Sequence, residues 1–202
     1  MAKARFLALG LLIAVAPERV AAQDSVVYHV ISASRFDVKT GKSGLFGFAG
    51  HSHVIRAHAV TGQAVLHQGD VFRSHVELSL PTDSLEVMTP PDTAEIRKVT
   101  ASMREDVLQV DQFPKIEFAS KEVAPTDSGY HLLVALTMHG VTKDVPMDVM
   151  VKTLGDTLRA SGKFAVKQTD FGMKPFKGGP GGTVKVADKV TFDFEAVAVK
   201  AK

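Results

Sequence analysis

The residues best placed to do chemistry are histidines. His51, Ser52 and His53 stand together, and His58 follows. On an extended strand, residues two apart project from one face, so His51 and His53 can aim two imidazoles at a common point. Imidazole nitrogens bind zinc and related cations, and a structural or catalytic site needs at least a third ligand. His58 falls on the opposite face of a continuous strand. His75, His139 and Asp37 can approach only through the fold. The competing reading is plainer: His51 and His53 hydrogen-bond within the protein, or hold the polar head of a ligand such as a quinone carbonyl.

Other motifs exclude more than they suggest. The run Gly178-Gly179-Pro180-Gly181-Gly182 lacks the closing Gly-Lys-Ser/Thr of a phosphate loop and reads as an ordinary loop. Glycines 44, 47 and 50 miss the dinucleotide spacing. No Gly-x-Ser-x-Gly elbow is present. The chain has no cysteine, which removes disulfides, thiolate metal sites and cysteine nucleophiles. His139 sits in Met138-His139-Gly140-Val141-Thr142-Lys143, which reads as a hairpin turn with Gly140 supplying the permissive backbone. The expectation is a protein that is not an enzyme.

The elements that must position these residues begin after a leader. Lys3 and Arg5 precede an apolar run from Phe6 to Ala16, and Val20-Ala21-Ala22 has the small residues of a cleavage site. Residues 1–22 therefore read as a secretory signal peptide, and residues 23–202 as a single exported domain. No later stretch approaches the ~20 apolar residues of a bilayer-spanning helix. Of 24 basic and 22 acidic residues, the leader holds Lys3, Arg5, Arg19 and Glu18, so 21 of each remain in the mature chain. A balanced chain has no general field to attract nucleic acid. Export without disulfides suits a bacterial periplasm.

Most of the mature chain alternates with period two, which is the pattern of strands with one apolar and one wet face. Phe72, Val76, Leu78 and Leu80 form one such face. Tyr130, Leu132, Val134 and Leu136 form a second, and Val145 to Val151 a third. Leu158, Ala160, Phe164 and Val166, then Val190, Phe192, Phe194 and Ala196, form two more. Val26–Ile31, Arg35–Thr40, Val54–Val60, Gln63–Leu66 and the region of Ile116 and Phe118 are further strand candidates. Turns are expected at residues 40–44, Thr61-Gly62, 68–70, 127–129 and 154–156. One helix is expected from Asp92, with Ile96, Val99, Met103 and Val107 on one side, stopping before Phe113-Pro114. So many short antiparallel strands point to a sandwich or a barrel, and a barrel leaves no exposed edge. Periodicity alone does not say whether the apolar faces pack solid or line a space.

Four stretches carry a family resemblance: HVELSLPTDSLEV ending at Val87, QFPKIEF ending at Phe118, LTMHGVTKDV from Leu136 to Val145, and DFGM from Asp170 to Met173. In order and spacing, over residues 24–199, the chain resembles the YceI family of periplasmic, lipocalin-like proteins, with Gly50-His51-Ser52-His53 marking a Gly-His-x-His variant. The resemblance implies an all-β fold, an antiparallel barrel with one short helix inserted between strands. It also implies a lumen that takes the tail of a polyisoprenoid, such as an isoprenoid quinone, or another lipid. The residues expected to line that lumen are Phe36, Val76, Leu78, Phe118, Leu132, Val134, Leu136, Phe164, Val166, Phe192 and Phe194. His51 and His53 are the candidates for a headgroup or a metal. No resident metal or further cofactor is expected, and the expected partners are an apolar small molecule and a membrane redox protein. The two rival expectations are a His-based metal protein and a packed interaction module of the envelope.

Overall fold

The computed structural model describes residues 25–43, 52–88, 93–178 and 184–202. The expected leader, His51 and most of the glycine run lie outside them. The described strands in chain order are β1 (Ser25–Val30), β2 (Arg35–Ser43), β3 (Val54–Ala57), β4 (Thr61–His67), β5 (His75–Pro81) and β6 (Leu85–Val87). Helix α1 (Thr93–Ser102) follows and passes into a π-helical turn at Met103–Leu108. Then come β7 (Lys115–Thr126), β8 (Gly129–Met138), β9 (Val141–Leu154), β10 (Thr157–Lys167), the two-residue β11 (Lys177–Gly178) and β12 (Val184–Lys200).

The strands form an all-antiparallel eight-stranded barrel with extra strands outside it. The barrel order is β1-β4-β5-β7-β8-β9-β10-β12, closed by pairing of β12 with β1. The length of β12 explains the extra strands. Its last residues pair with β1, while Lys185 to Glu195 pair with β2, which leads on to β3 and β6. Between the two pairings the Ser34 hydroxyl donates to the Val197 carbonyl and accepts from the Val197 amide, at 3.1 and 2.9 Å. The backbone groups at the changeover are thus satisfied.

The barrel has two unlike ends. One carries the β4–β5 connection, the β7–β8 and β9–β10 turns, the start of β1 and the C-terminus of the chain. The other carries the β8–β9 turn, the helix and Phe171. Helix α1 lies against β6, with Met103 and Val107 buried. The Thr100 hydroxyl accepts from the Val87 amide at 3.2 Å and Arg104 Nε donates to the Leu85 carbonyl at 3.0 Å. The helix thereby satisfies backbone groups of a short edge strand.

Local expectations are corrected at several points. Phe72 is not on the apolar face of a strand: it lies in the 3-10 turn Val71–Arg73 and is 69% exposed. Thr61-Gly62 is not a turn but the start of β4, where Gly62 faces Leu78 with φ of 149°. A Cβ at Gly62 meets the Glu77 carbonyl, so the close approach of β5 requires glycine. Residues 40–43 continue β2 instead of turning, and β3 stops at Ala57, short of Val60. Pairing across the sheet overrides the local turn signals in both strands that extend.

Candidate functional site

The barrel interior is hollow. The inward faces of β4, β5 and β7 to β10, with β2 and β12, surround a cavity of about 140 Å³. Its walls are almost wholly apolar. Ser74 and His75 are the polar residues at one end. Asp37 and Asp193 belong to the same strands, but their neighbours Phe36, Phe192 and Phe194 face inward, so alternation turns both carboxylates outward. Along β12 the wall runs from Phe192 to Ala198, a span of ~20 Å at strand rise. A comparable dry cavity lined by aliphatic and aromatic side chains accepts apolar guests, because water there lacks hydrogen-bond partners.

Of the expected lumen residues, Phe36, Val76, Leu78, Phe118, Leu132, Val134, Phe164, Phe192 and Phe194 line the cavity. Leu136 and Val166 do not. Leu136 is 0% exposed and belongs to the packed end of the interior. Val166 is partly buried against that same core. Strand parity places both residues inward, but position along the barrel takes them off the cavity wall. Tyr130, Met147, Val149, Ala160 and Ala198 line the wall and were absent from the expected set. Tyr130, Ala160 and Ala198 share the parity of residues in that set, and Met147 and Val149 lie on the alternating apolar face of β9 from Val145 to Val151, so the alternation already contained them.

Burial along β8 locates the mouth. Tyr130 is half-buried, Leu132 is 8% exposed, Val134 2% and Leu136 0%. Beyond Leu136 lie Met138, Phe171 and Val87, all buried. Among the described residues no α-helix crosses the opposite end. There Val30, Leu66, Val71 and Val151 line the cavity and are only half-buried. The cavity is therefore plugged at the helix end, and its mouth is assigned to the end bearing the β4–β5 and β9–β10 connections, whose rim Tyr28, Leu158 and Ala198 partly close.

Phenylalanines narrow the lumen. Phe164 and Phe192 are register partners stacked at 4.6 Å, and Phe118, from the far wall, meets them edge-on at 6.2 and 6.4 Å. One inward row runs Tyr130, Val149, Gly162, Phe194, Phe36 across five neighbouring strands. Gly162 leaves a gap in that row, and the Phe194 ring fills it: an added Cβ stands 2.9 Å from Phe194 Cζ and 2.8 Å from the Asp148 carbonyl.

The cavity contrasts with the outer wall beside it. On the outside of β2, β3, β10 and β12, Asp37 bonds Arg56 at 2.7 Å and Arg35 at 2.8 Å. Asp193 meets Lys39 at 2.8 Å, Lys163 at 3.2 Å and Arg35 at 3.4 Å. The Lys39 ammonium, with Lys163 beside it, holds the Asp193 carboxyl down to about 2. Arg56 and Arg35 lower that of Asp37. These ions tie four strands together outside the lumen and put no charge into it.

His53 pairs through its backbone with Thr40, and His51 lies outside the described residues. Among the described residues no three His, Asp or Glu side chains gather around a point that suits a metal ion. His75 reaches the mouth of the cavity, whereas His139 belongs to the plugged end. The candidate third ligands are thus not brought together.

The YceI-like domain model matches residues 26–198, which is almost the entire described barrel. The chain belongs to the YceI-like domain family. BcnA from Burkholderia cenocepacia shares the fold at a TM-score of 0.68 and 18% identity, over 84% of this chain and 99% of that one. A polyisoprenoid binding domain from Saccharophagus degradans, implicated in plant cell wall breakdown, aligns at 0.62 and 12% identity, over 87% and 98%. A Campylobacter jejuni YCEI protein aligns at 0.56 and 14%, over 73% and 84%. No curated protein matches the sequence. At these identities the solved structures attest the fold, and the YceI-like cavity must be read from its own walls. Among the described residues no helix is long and apolar enough to cross a membrane.

Proposed function

We propose that this YceI-like protein is a periplasmic carrier or sequestering protein for a long apolar molecule of isoprenoid or similar lipid character. The observation that carries the reading is the apolar-walled cavity, plugged at one end and lined by half-buried residues at the other. Such a shape suits a tail that enters end-on and leaves its head at the mouth. The leader expected at residues 1–22 supports export, and the polyisoprenoid binding domain of Saccharophagus degradans supports the ligand class. A space of about 140 Å³ matches one benzene-sized guest, so about six methylene-sized groups at about 0.8 kcal/mol each contribute roughly 5 kcal/mol before ordering costs. Micromolar affinity requires about 8 kcal/mol net, so tight binding needs the lumen to widen around the tail. The protein's part is binding, with no catalytic step assigned.

Extraction of the purified protein with organic solvent, followed by mass spectrometry, is expected to release a lipid in stoichiometric amount. Added isoprenoid quinone is expected to bind the emptied protein, and Ala160→Phe, which fills the cavity from β10, is expected to abolish that binding in a folded barrel. A protein that releases no lipid and takes up no quinone is not a carrier. Elemental analysis addresses the rival role of His51 and His53: a metal that comes off with loss of stability on chelation points there instead.

A further inference from the structure

We infer that the open end of the barrel is a membrane-docking surface, on which Phe72 and Leu154 enter the outer layer of a lipid bilayer and set the cavity mouth against it. The inference rests on the carrier reading and names the surface from which cargo is taken. Five large apolar side chains among the described residues are exposed, and three of them, Phe72, Leu154 and Val199, stand at this end. Phe72 is 69% and Leu154 85% exposed. Neither lines the cavity, and neither packs into a core cluster. Their surroundings give them no structural task inside the protein.

Their placement is not random around the rim. Phe72 sits on the connection between β4 and β5, and Leu154 on the turn between β9 and β10. In the closed order of eight strands, β7 and β8 separate these pairs on one side, and β12 and β1 on the other. The two tips therefore stand on opposite sides of the mouth. Val71, next to Phe72, lines the cavity, so this tip stands one residue from the lumen wall. Val199 lies in the same cross-strand row as Leu154, through Thr157, and extends the second tip along the rim.

Charge at this end selects the occupant. Arg73, Lys152, Lys200 and Lys202 stand at this end with Asp70, Asp127 and Asp156. A near-balanced rim neither repels a phospholipid surface nor depends on an anionic one. Two apolar tips set in such a rim match the interface of a bilayer, where an aromatic ring and an aliphatic chain bury while neighbouring charges stay wet. A tail leaving the bilayer between them enters the cavity without crossing water.

The test uses the chain's lack of tryptophan. Phe72→Trp places a lone indole at one tip, and Leu154→Trp at the other. Vesicles of phosphatidylethanolamine and phosphatidylglycerol are expected to shift both emissions to the blue. The wild type is expected to co-sediment with them, and Phe72→Ser/Leu154→Ser to bind at least about tenfold more weakly, with little salt dependence. The double variant is also expected to take up quinone from solution normally but to extract it from vesicles more slowly. An unshifted indole, or equal vesicle binding by the double variant, overturns the inference. So does wild-type self-association that the double variant loses, since the tips then cover a second copy. If neither protein takes up quinone from solution, the carrier reading fails, while the indole shift still decides the docking surface.

Discussion

His139 Nε2 lies 2.9 Å from Oε1 of Gln109, and these are the two non-glycine residues in the described structure with positive φ, at 51° and 49°. Gln109 ends the π-helical turn in a left-handed conformation, and His139 opens the β8–β9 turn. The His139 ring also rests on Phe113, with ring centroids 4.0 Å apart, and Gly140 leaves room for the Phe113 ring. Two strained residues thus hold each other and lock the helix over the closed end of the barrel.

Gln109→Ala removes the hydrogen bond and keeps the strain, so it is expected to cost about 1–2 kcal/mol in urea unfolding. Gln109→Gly loses the same bond but relieves the backbone, and is expected to be less damaging than alanine by roughly 0.5–1 kcal/mol. Alanine and glycine variants of equal stability would show that the left-handed residue carries no strain.

Gly162 tests the thin part of the wall. In Gly162→Ala the new methyl must displace the Asp148 carbonyl or push the Phe194 ring into the lumen. The expected outcome is about 1–3 kcal/mol of destabilisation together with weaker quinone binding by titration. A variant that keeps both stability and affinity means that the ring has room elsewhere.

Leu136 and Leu132 share a face of β8 but differ in role. Leu136→Ala is expected to cost about 2–5 kcal/mol, because it opens a void in the fully packed end, while quinone affinity changes little in the folded fraction. Leu132→Ala widens the cavity and is expected to change affinity. Thermal unfolding and ligand titration on the same two variants separate the effects, and identical behaviour of both leucines contradicts a plug-and-cavity division.

Asp193 links stability to acid. Its folded-state value, about 2, is depressed from 3.8, so its contribution is complete at pH values above its unfolded range and is lost as the pH falls through about 2. Asp37 is depressed in the same direction by Arg56 and Arg35. Urea midpoints are expected to be flat near neutrality and to fall below about pH 4, and Asp193→Asn to flatten that fall. At neutral pH the variant is expected to lose about 1 kcal/mol, and less in high salt, because Lys39 and Lys163 are substantially exposed. A midpoint unchanged between pH 5 and pH 2 excludes this coupling.

The alternation of Leu132, Val134 and Leu136, or of Phe192, Phe194 and Ala196, is written into the sequence because a strand's side-chain period is set by backbone geometry alone. The all-β fold and most inward-facing residues followed from it, the spacing of Ile96, Val99, Met103 and Val107 marked the inserted helix, and family-like stretches named the barrel. Turn signals were less informative where pairing dominated, as at Gly62, whose freedom serves the close passage of β5. Phe72 continued the apolar parity of β5, but the chain leaves the strand before reaching it, so that residue became an exposed tip.

Hollowness was decided only in three dimensions. Leu132 and Leu136 carry the same periodic signal, yet one lines the cavity and the other lies in a solid plug. The difference arises from segments distant in sequence: α1 with Met103, the Phe171 turn, and a Phe118–Phe164–Phe192 contact that crosses the lumen. Which end opens follows likewise from where the helix docks against β6. Local sequence determines which way a side chain faces, whereas the space in front of it depends on packing among all the strands.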